Sequence, residues 1–450
     1  MTTTAEYNPT ILRDLGEGLV LRRSTLADTE ALVAFNTVVH GHQDTGTPDD
    51  RAGAWVRDLM TRPHPTFNVD DFTIVEDTHT GKIVSCLNLI PQTWTYGGIP
   101  FKVGRPELVG TQPEYRNRGL VRLQFETIHQ WCLELDYKVQ AITGIPYFYR
   151  LFGYEMCLNL GGGRTGYLPQ VPRLKEGESE PYLIRPATET DIPFISQLYD
   201  LSCQRSIVSC VWDEALWRCE LTGKSADSVS RQEIRIIISP EGESVGFLAH
   251  YPYRWGSVLG ATCYELKAGL SYAAVTPSVI RYLVETGKAA STEHDPEPFG
   301  GFSFGLGANH PVFKTLLNRL PRENLPYAWY IRLPDIPGFL RLISPVLEKR
   351  LADSPFAGHS GEIQITFYRD GVRMVFEKGK LTTAEPYKPS PAGHGNAAFP
   401  ELTFLRLLFG YNSLDDLRPV FADVWTDSPE MWALLTCLFP KQPSTVWAVA

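Results

Sequence analysis

Residues 107–154 read ELVGTQPEYRNRGLVRLQFETIHQWCLELDYKVQAITGIPYFYRLFGY, and the fold follows from how this stretch is parsed. It reads as a strand, a tight polar turn, a helix, a second strand and a short aromatic helix. The turn places Arg116, Arg118 and Gly119 where a helix begins. A helix N-terminus carries roughly half a positive charge and a set of unpaired N–H donors, so this arrangement is a cradle for phosphate. Gly119 lets the backbone come close to an anion. Beyond the turn, Val121, Phe125, Ile128, Cys132 and Leu135 recur at helical spacing and form one apolar stripe, with Arg122, Glu126 and Gln130 opposite. Before it, Glu107, Val109 and Thr111 are expected to share one strand face.

The whole chain bounds this reading. Its 450 residues suffice for two to four domains with substantial cores. A formal charge of −9 and a pI near 5.7 argue against nucleic acid as a partner and mildly favour a cationic substrate. The eight cysteines are scattered without a C-x-x-C pair and read as reduced core residues. The ten histidines form no ligand pattern, and His40 with His42 suits a loop better than a metal site, so no metal is assigned. The opening MTTTAEYNPT has no basic-then-apolar leader, and no stretch reaches the roughly 20 apolar residues a membrane span needs. A cytoplasmic protein is expected.

Residues 18–24 read as an opening strand, and Thr25 with Asp28 as a helix cap before residues 29–39. Residues 71–112 alternate apolar and polar positions around the turns Thr80-Gly81-Lys82 and Tyr96-Gly97-Gly98, an antiparallel meander that delivers the chain to the phosphate turn. Residues 183–201, LIRPATETDIPFISQLYDL, echo residues 19–37, LVLRRSTLADTEALVAFNT. A second copy of the unit is expected, with residues 276–287 in the place of the cradle helix but no Arg-x-x-Gly turn before them. The segment 161–181, rich in Gly, Pro and charge, separates the copies. After residue 335 the pattern changes to helix, three strands, a Gly/Pro/Ala loop and two helical stretches.

The run Arg116, Asn117, Arg118, Gly119, Leu120, Val121 resembles the acetyl-coenzyme A signature of the GNAT acyltransferases, in which Arg or Gln, two residues and Gly are followed by one residue and Gly or Ala. Val121 departs from that pattern. The close Tyr149, Arg150, Leu151, Phe152, Gly153, Tyr154 resembles the family's second mark. The last segment resembles a sterol-carrier-protein-like domain. Taken over the whole length, the order resembles the Eis (enhanced intracellular survival) N-acetyltransferases.

The resemblance implies an α+β chain of two tandem GNAT domains, residues 1–165 with the acetyl-CoA site and 181–332 without it, joined by a linker at 166–180 and followed by the sterol-carrier-like domain at 333–450. It implies acetyl-CoA as co-substrate, an amine acceptor (lysine-like, polyamine or aminoglycoside, small molecule or peptide) and a homo-oligomer, often a hexamer. Val109, Gly110 and Thr111 would pair with the pantetheine; Asn117, Arg118, Gly119, Leu120, Val121 and Arg122 would hold the pyrophosphate, with Gly144 and Ile145 as weaker matches. Tyr149 corresponds to the family's general acid. The terminal carboxylate, here on Ala450, corresponds to its base, and the apolar run Ser444 to Ala450 suits a buried tail. Glu107 is the second candidate base. The acidic residues Asp44, Asp49 and Asp50 could greet a cation. A different class, a non-catalytic lipid or acyl-CoA carrier built on acetyltransferase scaffolds, stands as the alternative.

Overall fold

A computed structural model describes residues 10–41, 45–290, 297–389 and 395–450. His42 and Asp44 lie outside them. The first sheet starts with a hairpin, β1 (Ile11–Gly16) and β2 (Leu19–Arg23), and continues through β3 (Phe72–Asp77), β4 (Lys82–Tyr96) and β5 (Ile99–Thr111) as the expected antiparallel meander. Gly97 and Gly98 both take positive φ between β4 and β5, the backbone a two-residue hairpin turn demands. Helices α1 (Thr29–Val39) and α2 (Asp50–Thr61) cover one face. Helix α3 (Leu120–Glu134) covers the other and leads into β6 (Val139–Ile142), which pairs in parallel with β5.

After β7 (Glu155–Leu160) the chain builds a second sheet. Its strands are β8 (Gly163–Tyr167), β9 (Leu183–Pro186), β11 (Glu233–Ile238), β12 (Ser244–His250), β13 (Val258–Leu266), β14 (Gly301–Phe304) and β15 (Arg322–Asn324), while β10 (Val208–Cys210) returns to pair with β4. Helix α4 (Ile192–Cys203) follows β9, α5 (Glu214–Arg218) follows β10, and α6 (Tyr272–Ala289) connects β13 to its parallel partner β14. The order β9-β11-β12-β13-β14 thus repeats β2-β3-β4-β5-β6.

The echo seen in sequence is also one of hydrogen bonds. Asp28 accepts from Arg22 Nη1 and Nη2 at 2.9 and 2.7 Å and from the Thr25 N–H at 2.7 Å. Asp191 accepts from Arg185 Nη1 and Nη2 at 2.8 and 2.7 Å and from the Thr188 N–H at 2.8 Å. In both places the carboxylate caps a helix start and ties it to the opening strand.

The two sheets exchange strands. β8, which straddles the expected boundary at 165, sits in the second sheet between β14 and β15. β16 (Tyr327–Arg332) returns to the first sheet and inserts between β6 and β7. A third sheet of β17 (Gly361–Thr366), β18 (Gly371–Glu377), β19 (Lys380–Tyr387), β20 (Ala397–Ala398) and β21 (Trp425–Thr426) follows. Helices Ile336–Leu342, Ser344–Ala352, Thr403–Leu408 and Pro429–Leu438 accompany it. One continuous apolar core joins all three, from Trp94 and Phe101 through Trp217 and Phe247 to Phe339, Phe404 and Val449.

Candidate active site

The site forms where β5 and β6 part. Their parallel ladder holds at Val103 with Val139 and Gly104 with Gln140. Further along, Leu108 has a φ of +53° and the register against β4 shifts between Cys86 and Asn88, a β-bulge. A bulge bends its strand and restarts the alternation of side chains one residue late. Leu108 packs with Phe35 and Cys86 on the α1 side, and a Cβ on Gly110 would meet Val39 Cγ1 at 2.5 Å, on that same side. Val109 packs with the α3 cluster, and Thr111 reaches Ser85, which bonds Gln124 of α3. The expectation that Glu107, Val109 and Thr111 share a face is therefore corrected. Glu107, on the other side of the bulge, faces away from the pair.

The turn that follows is held from below. Tyr115 Oη donates to Asp77 at 2.7 Å, and Arg116 Nε donates to the Thr111 carbonyl at 3.4 Å. Asn117 and Gly119 adopt φ of +64° and +77°, which rotates the chain so that the first N–H groups of α3 point outward. No acidic residue stands in the first turn of α3. Of the predicted α3 stripe, Phe125, Ile128 and Cys132 are buried, but Leu135 is 52% exposed because the helix has already ended. Leu120, Gln124 and Trp131 complete the buried face instead. Gln124 is a polar member that periodicity alone passes over. Its Oε1 accepts from Ser85 at 2.7 Å and its Nε2 donates to the Thr73 carbonyl at 3.0 Å, so the end of β5 is tied to α3.

Opposite the turn stands the loop between β6 and the short helix Phe148–Phe152. Tyr149 is 5% exposed and packs against Phe125, Phe148 and Tyr330. Burial first, and the Glu107 charge second, hold its phenol well above the usual tyrosine range. Its hydroxyl has no hydrogen-bond partner among the described residues. Two tyrosines from β16, which sequence reasoning did not single out, fix this loop. Tyr327 Oη donates to the Gly144 carbonyl at 3.0 Å, and the Tyr147 N–H donates to Tyr330 Oη at 2.6 Å. Nothing local in YAWYIR signals insertion beside β6.

Between these walls lies a groove of about 790 Å³. Val109, Gly110, Thr111, Asn117, Gly119, Leu120, Val121, Arg122, Ile145 and Tyr149 all line it, together with Arg116. Gly144 stands behind Tyr149 rather than on the wall. Arg118 is turned away, paired with Glu17 at 2.7 Å. The groove offers outward N–H donors and two arginines at one end and a free phenol at the other, a fit for a long ligand carrying a phosphate head and a reactive tail.

The tail residues approach the site from the other side of the sheet. The Val449 carbonyl accepts from Gln92 Nε2 at 2.8 Å and Arg105 Nη1 at 2.5 Å, and the Trp447 carbonyl from Trp212 Nε1 at 2.7 Å. Arg105 Nη2 is 2.6 Å from Glu107 Oε1, so one guanidinium serves both the tail and Glu107. Ala450 lines a small separate cavity with Trp55, His64 and Lys224. His64 Nδ1 accepts from the Phe67 N–H at 3.0 Å, which leaves its proton on Nε2. Burial, then the Lys224 charge, push its pKa down to about 4 against the opposing pull of the Ala450 backbone oxygen. Asp49 caps α2 by accepting from the Ala52 N–H at 2.9 Å. All eight cysteines are free thiols. Among the described residues no cluster of His, Cys, Asp and Glu could hold a metal ion, and no helix is long and apolar enough to cross a membrane.

Residues 21–157 match the acetyltransferase (GNAT) domain. That span carries the meander, the bulge, the cradle and Tyr149. No curated protein matches the chain. Solved structures of similar fold extend over nearly the whole length. A probable N-acyltransferase from Enterococcus faecalis superposes with a TM-score of 0.62 at 14% identity, covering 95% of this chain and 97% of its own. A GCN5-related N-acetyltransferase from Kribbella flavida gives 0.61 at 16%, covering 96% and 98%. Eis1 from Mycobacterium abscessus gives 0.55 at 11%, covering 95% and 99%. At such identities the likeness is one of fold, and the fold is that of the GNAT-like acyltransferases.

Proposed function

We propose that the chain is an N-acetyltransferase that moves an acetyl group directly from acetyl-CoA to a primary amine. The observation that carries this reading is the groove itself: an anion cradle at the start of α3 and an unpartnered phenol face each other across the gap between β5 and β6. Acetyl-CoA would contribute the thioester. Val109, Gly110 and Thr111 would hold its pantetheine arm, and the backbone at Asn117 to Arg122, with Arg116, its pyrophosphate.

Two proton roles then remain. The departing thiolate takes a proton, and Tyr149 holds one that burial keeps in place well past neutral pH. The attacking amine gives one up. The Ala450 carboxyl is put forward as base and Glu107 as second candidate; Gln92 and Arg105 pin the tail at Val449, while Ala450 itself lines the small cavity with His64 and Lys224 rather than the groove. The second sheet, which repeats the strand order but not the cradle, is read as a second acetyltransferase unit that shapes the acceptor side. The third sheet is read as the sterol-carrier-like domain, whose helices present the tail.

The test is thiol release from acetyl-CoA against aminoglycosides, polyamines and lysine peptides, for the full chain and for one lacking residues 449–450. The reading predicts release by the full chain, strongly reduced on truncation while calorimetry still finds coenzyme binding. Equal release by both would discard Ala450 and move the base to Glu107. A full chain that binds the coenzyme but acetylates no amine in the panel would overturn the enzyme reading in favour of a carrier.

A further inference from the structure

Asn88 is fully buried, yet neither its Nδ2 nor its Oδ1 has a partner. Buried amides are nearly always satisfied, because each polar atom removed from water without a replacement bond is costly. Two unpartnered atoms on one side chain therefore mark a place where a molecule outside the chain is expected.

Its position says which kind. Asn88 lies directly across the ladder from Glu107, immediately before the bulge at Leu108, and on the other side it pairs with Phe72. Cross-strand partners in this register point to one face, the face over which the tail runs. Glu107 Oε1 is also without a properly aligned hydrogen bond, although Arg105 lies close enough to form an ion pair, and Arg105 Nε is unpartnered as well. Arg105 and Glu107 keep 11% and 15% side-chain exposure, so solvent reaches the cluster at these two residues, while Asn88 lies wholly beneath them. The cluster offers a carboxylate and an amide oxygen on neighbouring strands. An amine or ammonium nitrogen, with several N–H donors, satisfies both at once.

Resting on the acyl-transfer reading, we propose that Asn88 is a specificity-determining residue for the acceptor: its Oδ1, with the Glu107 carboxylate, receives the hydrogens of the primary amine and positions the nitrogen beside the bulge. A secondary or tertiary amine offers fewer hydrogens to this pair and is selected against. Phe72, the β3 partner of Asn88, packs edge-on against Phe67 on this face, so the surroundings of the pair are apolar.

The experiment compares the wild type with Asn88→Leu and Asn88→Ser in steady-state thiol release, varying a primary amine and acetyl-CoA separately, alongside thermal melting. Asn88→Leu is expected to raise the KM for the amine at least tenfold, leave the KM for acetyl-CoA within twofold, and leave the melting temperature unchanged or higher, since an unsatisfied amide has been replaced by an apolar isostere. Asn88→Ser, which keeps a hydroxyl acceptor, is expected to fall between. An unchanged amine KM in an active Asn88→Leu, or in Asn88→Ser should the first variant not fold, would overturn the inference and leave the acetyltransferase reading standing; Asn88 would then hold only structural water. A wild type that acetylates no amine would remove both.

Discussion

The Tyr149 hydroxyl lies 3.1 Å from the point that a Cβ on Gly144 would occupy. Gly144 has a φ of +133°, a region that residues with side chains rarely adopt, so the site requires glycine twice over, for conformation and for space. Gly144→Ala is expected to cost about 1–3 kcal/mol from backbone strain and to displace the phenol. Turnover should fall by at least tenfold while coenzyme affinity by calorimetry changes little. A variant with wild-type turnover would show that Tyr149 does not need this position.

The cradle arginines differ in their commitments. Arg116 lines the groove, whereas Arg118 is paired with Glu17 and lies over Tyr115. Arg116→Ala should therefore weaken coenzyme binding roughly tenfold, in line with about 1.5 kcal/mol for one charge-assisted contact. Arg118→Ala should weaken it less. The reverse order in calorimetric titrations would mean that Arg118 leaves Glu17 to reach the pyrophosphate.

Two histidines set how stability responds to acid. Burial depresses His129 to about 3 and His64 to about 4, so both are neutral in the folded chain while the unfolded chain protonates them below about 6.5. The unfolded state then binds more protons, and each histidine removes about 1.4 kcal/mol per pH unit as pH falls from 6.5 towards its folded value. Asp71, raised to about 6 by burial, works in the opposite direction between 3.8 and 6, where the folded chain holds the extra proton. Net loss of stability is expected between pH 6.5 and 4. His129→Gln, which can still bond Tyr154, should make the decline of melting temperature shallower; an unchanged decline would show that His129 is not the group titrating.

Much of this was legible in the chain. The meander, the cradle turn, α3 and the internal echo follow from alternation, turn residues and helical spacing, all local properties of sequence. What escaped has non-local causes. The bulge at Leu108 carries no glycine to announce it and reverses the expected face of Glu107. Tyr327 and Tyr330 support Tyr149 from more than 170 positions away through a strand exchanged between sheets. Gln124 and Asn88 are polar residues at core positions, where hydropathy predicts exposure. The pairing of Arg118 with Glu17 depends on the β1–β2 turn folding back beside the cradle.

In the proposed reaction Tyr149 donates the proton that frees the thiol. The most direct test of this step is thiol release at saturating acetyl-CoA and amine by the wild type and by Tyr149→Phe, with coenzyme affinity measured on both. Tyr149→Phe is expected to show a turnover number at least tenfold lower with nearly unchanged coenzyme affinity, and the wild type no alkaline loss of turnover from this phenol up to about pH 10, its ordinary value. Equal turnover numbers for the two proteins would contradict this role and take Tyr149 out of the chemistry.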